Sequence, residues 1–364
     1  MQIWKNIIKP VIAVVLLLQF FSCSNDNQTD KNDVSSSSDQ KKIRWSGQKS
    51  ISGYAEGTTF TIKTSDDSLL TNPTELQHLF DAYDLELSTY NDQSVLTRFN
   101  NEDSTVDLNK TEYFKTCFEE SMLVYKETNG YFDPTVFPLV KLWGFFKKDV
   151  NPPSQHKIDS VLQFIGFKRD TLYTYKNGIV TKKDMRLQLD FNAIAKGYSV
   201  DVVAAFLADK GQQNFYIEIG GEIRVSGLNN DGKKWVLGID EPVDSNSGYS
   251  TNRQLENYIF ITDMAVATSG NYRKFYIKNG HKYSHTLNPK NGRPVEHNLL
   301  SATVICKRTG LADAYATAFM AMGVEKTMEF IEYHHNLEVY LLYENNLGKI
   351  ERAYSDGMTD YISQ

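Results

Sequence analysis

Only three of the 364 residues are cysteine, and there is no basic surplus: 39 Lys and Arg stand against 45 Asp and Glu, for a formal charge of −6. So few cysteines exclude a disulfide-stapled scaffold. The acidic balance, with no basic patch interleaved with aromatics, excludes a nucleic-acid-binding surface. No apolar run reaches the roughly 20 residues that a membrane-spanning helix needs. No repeat of fixed period is present, and beyond Lys42 no linker or low-complexity stretch interrupts the pattern. With 41% hydrophobic and 12% aromatic residues, the chain has the means to build a sizeable core.

What is present begins with "MQIWKNIIKPVIAVVLLLQFFSC", in which Lys5 and Lys9 precede an apolar run from Val11 to Phe21 broken only by Gln19. This reads as a secretory signal over residues 1–22. Ser22-Cys23 resembles a bacterial lipobox, with bulky Phe20 and Phe21 as its departure, so Cys23 is expected to be acylated and residues 23–41, rich in Ser, Asp and Asn, to form a disordered tether. Without residues 1–22 the chain holds 37 basic and 45 acidic residues, a charge of −8. Cys117 and Cys306, the cysteines left for the folded part, are expected as buried thiols.

From 42 to 364 we read one domain. "GTTFTIKT" is strand-like, and "TNPTELQHLFDAYDLELSTY" is an amphipathic helix with Leu76, Leu79, Phe80 and Tyr83 on its apolar side. Further helices are expected over Thr111–Thr128, in "SQHKIDSVLQFIGF", over Ile194–Lys210 with Ala195, Tyr198, Val202 and Phe206 inward, in "LADAYATAFMAMG" and near Glu325–His334. Strands alternate with Gly and Asn turns through most of the second half, including a turn at Asn177-Gly178. Without regular alternation of strand and helix, the class is α+β with largely antiparallel strands.

Four stretches carry chemistry. In "LADAYATAFMAMG", Asp313 and Thr317 lie one helical turn apart and present two oxygens to one point, as a hard cation such as Mg²⁺ requires. Alternatively, Asp313 caps the helix and Thr317 bonds back to a carbonyl. In "DFNAIAKGYSVD", Asp190 ends a strand, Asn192-Ala193 turn, and Lys196 sits where a helix N-terminus would favour an anion, although an ordinary surface lysine has the same pattern. "EIGGEIRVSG" sets two glycines beside Glu222, for a close backbone approach or a bulge. "YSHTLNPKNGRP" supplies an imidazole, His285. Together the four fit a nucleotide site.

These segments resemble the ApbE family of FAD:protein FMN transferases. "DFNAIAKGY", "GGEI", "ATSG", "HTLNPKNG" and "ADAYAT" follow the family's motifs in order, and "LSTYNDQSVLTRFN" and "GYFDPTVFPLVKLWGF" look like its N-terminal half. The resemblance implies Mg²⁺ held by Asp313, Thr317 and the carbonyl of Ala193, with FAD as substrate. It implies FAD contacts at Tyr90, Phe132, Asp133, Asp190, Lys196 and Glu222, and a catalytic imidazole in His285. It also implies release of AMP and attachment of FMN to a Thr or Ser hydroxyl. The acceptors would be extracytoplasmic domains of redox membrane subunits, met by an enzyme lipid-anchored in the bacterial cell envelope, at the inner membrane rather than the outer. One departure stands out: where the family has Met in an early M-G-T motif, this chain has Glu56. Hydrolysis of FAD to FMN and AMP, and FAD binding without chemistry, remain the alternatives.

Overall fold

The computed structural model describes residues 44–45, 49–145, 151–168, 170–242, 254–271, 275–278 and 281–362. The expected signal, Cys23 and the tether lie outside the described residues. The folded unit is organised by one nine-stranded sheet: β1 (Arg44–Trp45), β2 (Ser50–Ala55), β3 (Thr58–Thr64), β4 (Phe215–Ile219), β5 (Glu222–Ser226), β6 (Ala265–Gly270), β7 (Leu299–Cys306), β8 (Glu338–Glu344) and β9 (Ile350–Tyr354). Its strands stand side by side in chain order, each antiparallel to the next. The α+β class with largely antiparallel strands is borne out.

The helices are insertions between these strands. Six lie between β3 and β4: α1 (Pro73–Leu87), α2 (Val95–Asn101), α3 (Tyr113–Glu127), α4 (Phe137–Trp143), α5 (Gln155–Leu162) and α6 (Ala195–Asp209), the last of which leads into β4; α7 (Thr309–Met322) and α8 (Val324–Ile331) separate β7 from β8. The sequence pattern gives no sign of α2 or α4. Each is two turns long, and α4 carries Pro138 in its first turn, where the missing N–H costs no hydrogen bond.

Period-2 alternation sends neighbouring residues of β7 and β8 to opposite faces of the sheet. Ala302, Val304, Val339 and Leu341 join α3 and α7 in an aromatic-rich core with Phe114, Phe118 and Phe319. Ile305, Tyr340 and Leu342 pack on the other face against the hairpin formed by Trp235–Asp240 and Leu255–Ile261. A further cluster joins Ile217 and Ile219 of β4 to Val200, Val203 and Leu207 of α6. The buried side of α6 is therefore centred on those three residues, whereas Val202 and Phe206 are only half-buried. This helix is apolar on more than one side, so its own pattern does not select the face that meets the sheet.

The other expected helices form with ends shifted by a few residues, and α1 starts at a capping box in which Asn72 accepts from the backbone of Thr74 and Glu75 while Glu75 accepts from the N–H of Asn72. At the Asn177-Gly178 turn both residues take positive φ, 53° and 77°, closing the hairpin as expected. Cys117 and Cys306 are buried free thiols, also as expected.

Candidate active site

The site is built where the N-terminal turns of α6 and α7 touch. Gly197 makes that approach possible, since a Cβ there would lie 2.4 Å from the carbonyl oxygen of Thr309 and 2.8 Å from Cβ of Asp313. The Gly197 N–H donates to Oδ2 of Asp313 at 3.1 Å, and this carboxylate is 4% exposed. Burial raises the pKa of Asp313, opposed by the positive charge of Lys196 and by the Gly197 hydrogen bond. One turn further along α7, Thr317 is half-buried with its hydroxyl 3.3 Å from that of Ser269 on β6. Asp313 thus faces the start of α6 while Thr317 faces the end of β6. The i, i+4 spacing puts both on the side of α7 turned toward those elements.

Lys196 and Glu222 meet, their Nζ and Oε1 being 2.6 Å apart. Burial works against the charge on Lys196, yet the Glu222 and Asp313 carboxylates hold its pKa above the ordinary lysine value. Glu222 is 3% exposed, and burial pushes its carboxyl up to about 8. The Gly220-Gly221 turn passes directly over the lysine stem, where a Cβ on Gly220 would stand 2.8 Å from Cδ of Lys196. The close backbone approach read from "EIGGEI" is therefore real.

Glu56 belongs to the same cluster. With Gly57 it forms the two-residue turn between β2 and β3, both at positive φ, 52° and 75°. Desolvation pushes its carboxyl up to about 8, against a hydrogen bond with Ser199, and Asp84, Lys196 and Glu222 act on it by charge. Glu56 Oε1 and Glu222 Oε2 are buried without hydrogen-bond partners among the described residues. Three carboxylates, Glu56, Glu222 and Asp313, therefore act on one ammonium.

The turn before α6 is fixed from both sides. Asp190 donates its N–H to the carbonyl of Pro134 at 2.6 Å and accepts from the N–H of Asn192 at 2.9 Å; burial raises its carboxyl pKa. Tyr83 of α1 donates to the carbonyl of Ala195. Ala193 is half-buried in this turn, two residues before α6 begins.

The "GYFDPT" segment is enclosed. Phe132 is 2% exposed within the aromatic core. Asp133, pushed up to about 6 by burial, accepts from the N–H and hydroxyl of Thr135 at 2.8 and 2.6 Å and so caps a short 3-10 turn. Tyr90 is the opposite case, 90% exposed just beyond α1.

His285 is half-buried in the bend between strands His281–Ser284 and Leu287–Asn288. Its neighbours on both sides are tied to Asn271: the hydroxyls of Ser284 and Thr286 donate to Asn271 Oδ1 at 2.5 and 2.6 Å. Asn271 follows β6 directly, and its N–H donates to the carbonyl of Leu300. The histidine bend is thereby anchored two residues beyond Ser269, which touches Thr317. Nothing in the spacing of "ATSG" marks Ser269, or Asn271 just beyond it, as functional. Their contacts, across 48 and 13 to 15 residues of chain, leave no local pattern.

Comparison with known proteins places these features in context. The sequence profile described as "ApbE family" matches residues 57–341. An FAD:protein FMN transferase of Haemophilus influenzae is 31% identical over 360 residues, covering 96% of this chain and 97% of the relative. One from Vibrio cholerae is 36% identical over 296 residues, covering 78% and 84%. Among solved structures, the flavin transferase ApbE from Vibrio cholerae superposes with a TM-score of 0.74 at 31% identity, covering 86% of this chain and 99% of that one.

Proposed function

Since the chain belongs to the ApbE family, we propose that it transfers the FMN part of FAD to a hydroxyl side chain of an acceptor protein and releases AMP. The observation that carries this reading is the convergence of Asp313, the N-terminal turn of α6 and Lys196 at one place. The Lys196 ammonium favours a phosphate, while the buried carboxylate of Asp313 beside it calls for a cation. A pyrophosphate with a divalent ion brings both.

Asp313, Thr317 and the carbonyl of Ala193 would hold Mg²⁺. The donor set fits, because all three are hard oxygens and Mg²⁺ needs only a few protein ligands. When bound, the ion supplies neutralisation of charge on the pyrophosphate. Lys196 exchanges Glu222 for a phosphate oxygen of FAD, and Tyr90 offers an exposed ring for stacking on a flavin or adenine plane. Enclosed as they are, Phe132 and Asp133 shape the wall behind the nucleotide. The acceptor hydroxyl attacks the phosphorus of the FMN half, the P–O bond to AMP breaks, and His285 takes the hydroxyl proton.

The signal-like N-terminus and Cys23 support a lipid-anchored enzyme on the extracytoplasmic face, meeting redox membrane subunits as acceptors. The test incubates the protein with FAD and Mg²⁺, with and without a candidate acceptor domain, and separates the nucleotides by chromatography. AMP that appears only with the acceptor supports transfer. AMP and free FMN without an acceptor would replace it with hydrolysis, and intact FAD would leave binding alone.

A further inference from the structure

Asp201 has no place in the nucleotide chemistry, yet it is among the most heavily hydrogen-bonded carboxylates of the fold. The residue before α7, Arg308, gives the helix no side-chain cap. Asp201 reaches across from α6 instead: Oδ1 accepts from the N–H of Thr309 at 2.9 Å and its hydroxyl at 3.0 Å, and Oδ2 accepts from the N–H of Gly310 at 3.0 Å. The Arg224 guanidinium lies 3.1 Å from Oδ1, and Nε of Arg308 lies 3.9 Å from Oδ2.

Gly197 and Asp201 stand one turn apart on α6; Thr309 and Asp313 stand one turn apart on α7. The two helices are therefore joined by two rungs. Asp201 holds the first N–H groups of α7, and the Gly197 N–H holds Asp313. The outer rung fixes the rise and rotation of α7 against α6, and the inner rung contains the carboxylate expected to take the metal. A slip of α7 by a fraction of a turn would carry Asp313 away from the Ala193 turn, because that turn leads into α6 and α7 follows β7.

We propose that Asp201 is a positioning residue for the metal site, acting through the register of α7 on Asp313. This rests on the metal reading given above. It makes Asp201→Asn a metal-affinity variant rather than a catalytic one. Glu86 of α1 provides a matched control, since its carboxylate caps α3 by accepting from the N–H groups of Glu112, Tyr113 and Phe114 at 3.1, 2.9 and 2.8 Å, a cross-helix cap on a helix without proposed ligands.

The experiment titrates Mn²⁺, followed by electron paramagnetic resonance, into wild-type protein, Asp201→Asn, Thr309→Val and Glu86→Gln, each saturated with FAD. Hydrogen exchange of α7 amides is measured in parallel on the metal-free proteins. Asp201→Asn is expected to raise the Mn²⁺ dissociation constant roughly tenfold, the scale of losing one good cap, and to speed exchange in α7. Its turnover should recover at high Mg²⁺. Thr309→Val should shift affinity in the same direction by less, while Glu86→Gln should lower the melting temperature and leave Mn²⁺ affinity unchanged. Should Asp201→Asn fail to fold, Thr309→Val against Glu86→Gln decides. Asp201→Asn or Thr309→Val binding Mn²⁺ as tightly as wild type, or Glu86→Gln losing as much, overturns the proposal. A wild-type protein that binds no Mn²⁺ would instead overturn the metal reading, and this inference with it.

Discussion

Lys196 Nζ and Glu222 Oε1 lie 2.6 Å apart, and Glu56 and Asp313 act on the same ammonium. One cation thus serves three buried carboxylates, and the negative excess must be held off by protons or drawn off by a bound cation. The pairing also gives Lys196 a fixed position before any phosphate arrives. Removing it by Lys196→Met should cost about 1–3 kcal/mol near neutral pH, because Glu222, whose carboxyl already rises to about 8, takes up a proton and is left buried without its partner. The double variant with Glu222→Gln should recover most of that loss, as measured by urea unfolding.

Glu56 makes a pH-dependent prediction. Its carboxyl rises from 4.5 to about 8 in the folded protein, so the folded state holds a proton that the unfolded chain gives up between these values. Stability from this group is full below pH 4.5, falls as pH rises towards 8 and is flat above. Glu56→Gln keeps the shape and cannot ionise. Its melting temperature should match wild type near pH 4.5 and exceed it increasingly up to pH 8, by the equivalent of about 1–3 kcal/mol. A constant difference across that range would contradict the buried-carboxyl account.

Asp313→Asn preserves the hydrogen bond from Gly197 while removing the charge. Transfer should fall by roughly 100-fold or more in kcat/KM, and added Mg²⁺ should restore little of it. Steady-state rates across a Mg²⁺ series give the answer.

The two residues of the histidine bend separate proton transfer from its positioning. His285→Ala should lower kcat by about 10²–10⁴ with FAD binding retained. Asn271→Ala, which frees the hydroxyls of Ser284 and Thr286, should lower kcat less and leave the KM for FAD nearly unchanged. A raised KM for FAD with kcat unchanged would assign Asn271 to ligand binding instead.

Tyr90 is exposed, so its truncation should leave stability within about 0.5 kcal/mol. If its ring stacks on the ligand, Tyr90→Ala should weaken FAD binding by about 1–3 kcal/mol while Tyr90→Phe binds normally. Flavin fluorescence titration reads both.

Much of this site was legible in local spacing. Asp313 and Thr317 share a helix face because they are four residues apart, and Lys196 follows a strand-to-helix turn that a reader can recognise from "DFNAIAKGY". The order of the sheet was not legible, because pairings such as Phe60 with Ile219 bridge more than 150 residues and leave no periodic trace. The same holds for the cap that Asp201 gives α7, whose donors lie 108 and 109 residues away. The departure at Glu56 was visible as a wrong residue type, but its burial beside Ser199 and Lys196 depends on a hairpin meeting a helix. The "GYFDPT" motif implies ligand contacts at Phe132 and Asp133. In the fold their side chains are occupied by core packing and by a cap, roles that the same motif would also preserve.

The central claim is tested most directly by the intact mass of an acceptor domain with accessible Thr and Ser, after incubation with the protein, FAD and Mg²⁺. The account predicts a gain of one FMN phosphoester on a single hydroxyl, matched mole for mole by AMP and absent with Asp313→Asn. An unchanged acceptor mass alongside AMP and free FMN would contradict it.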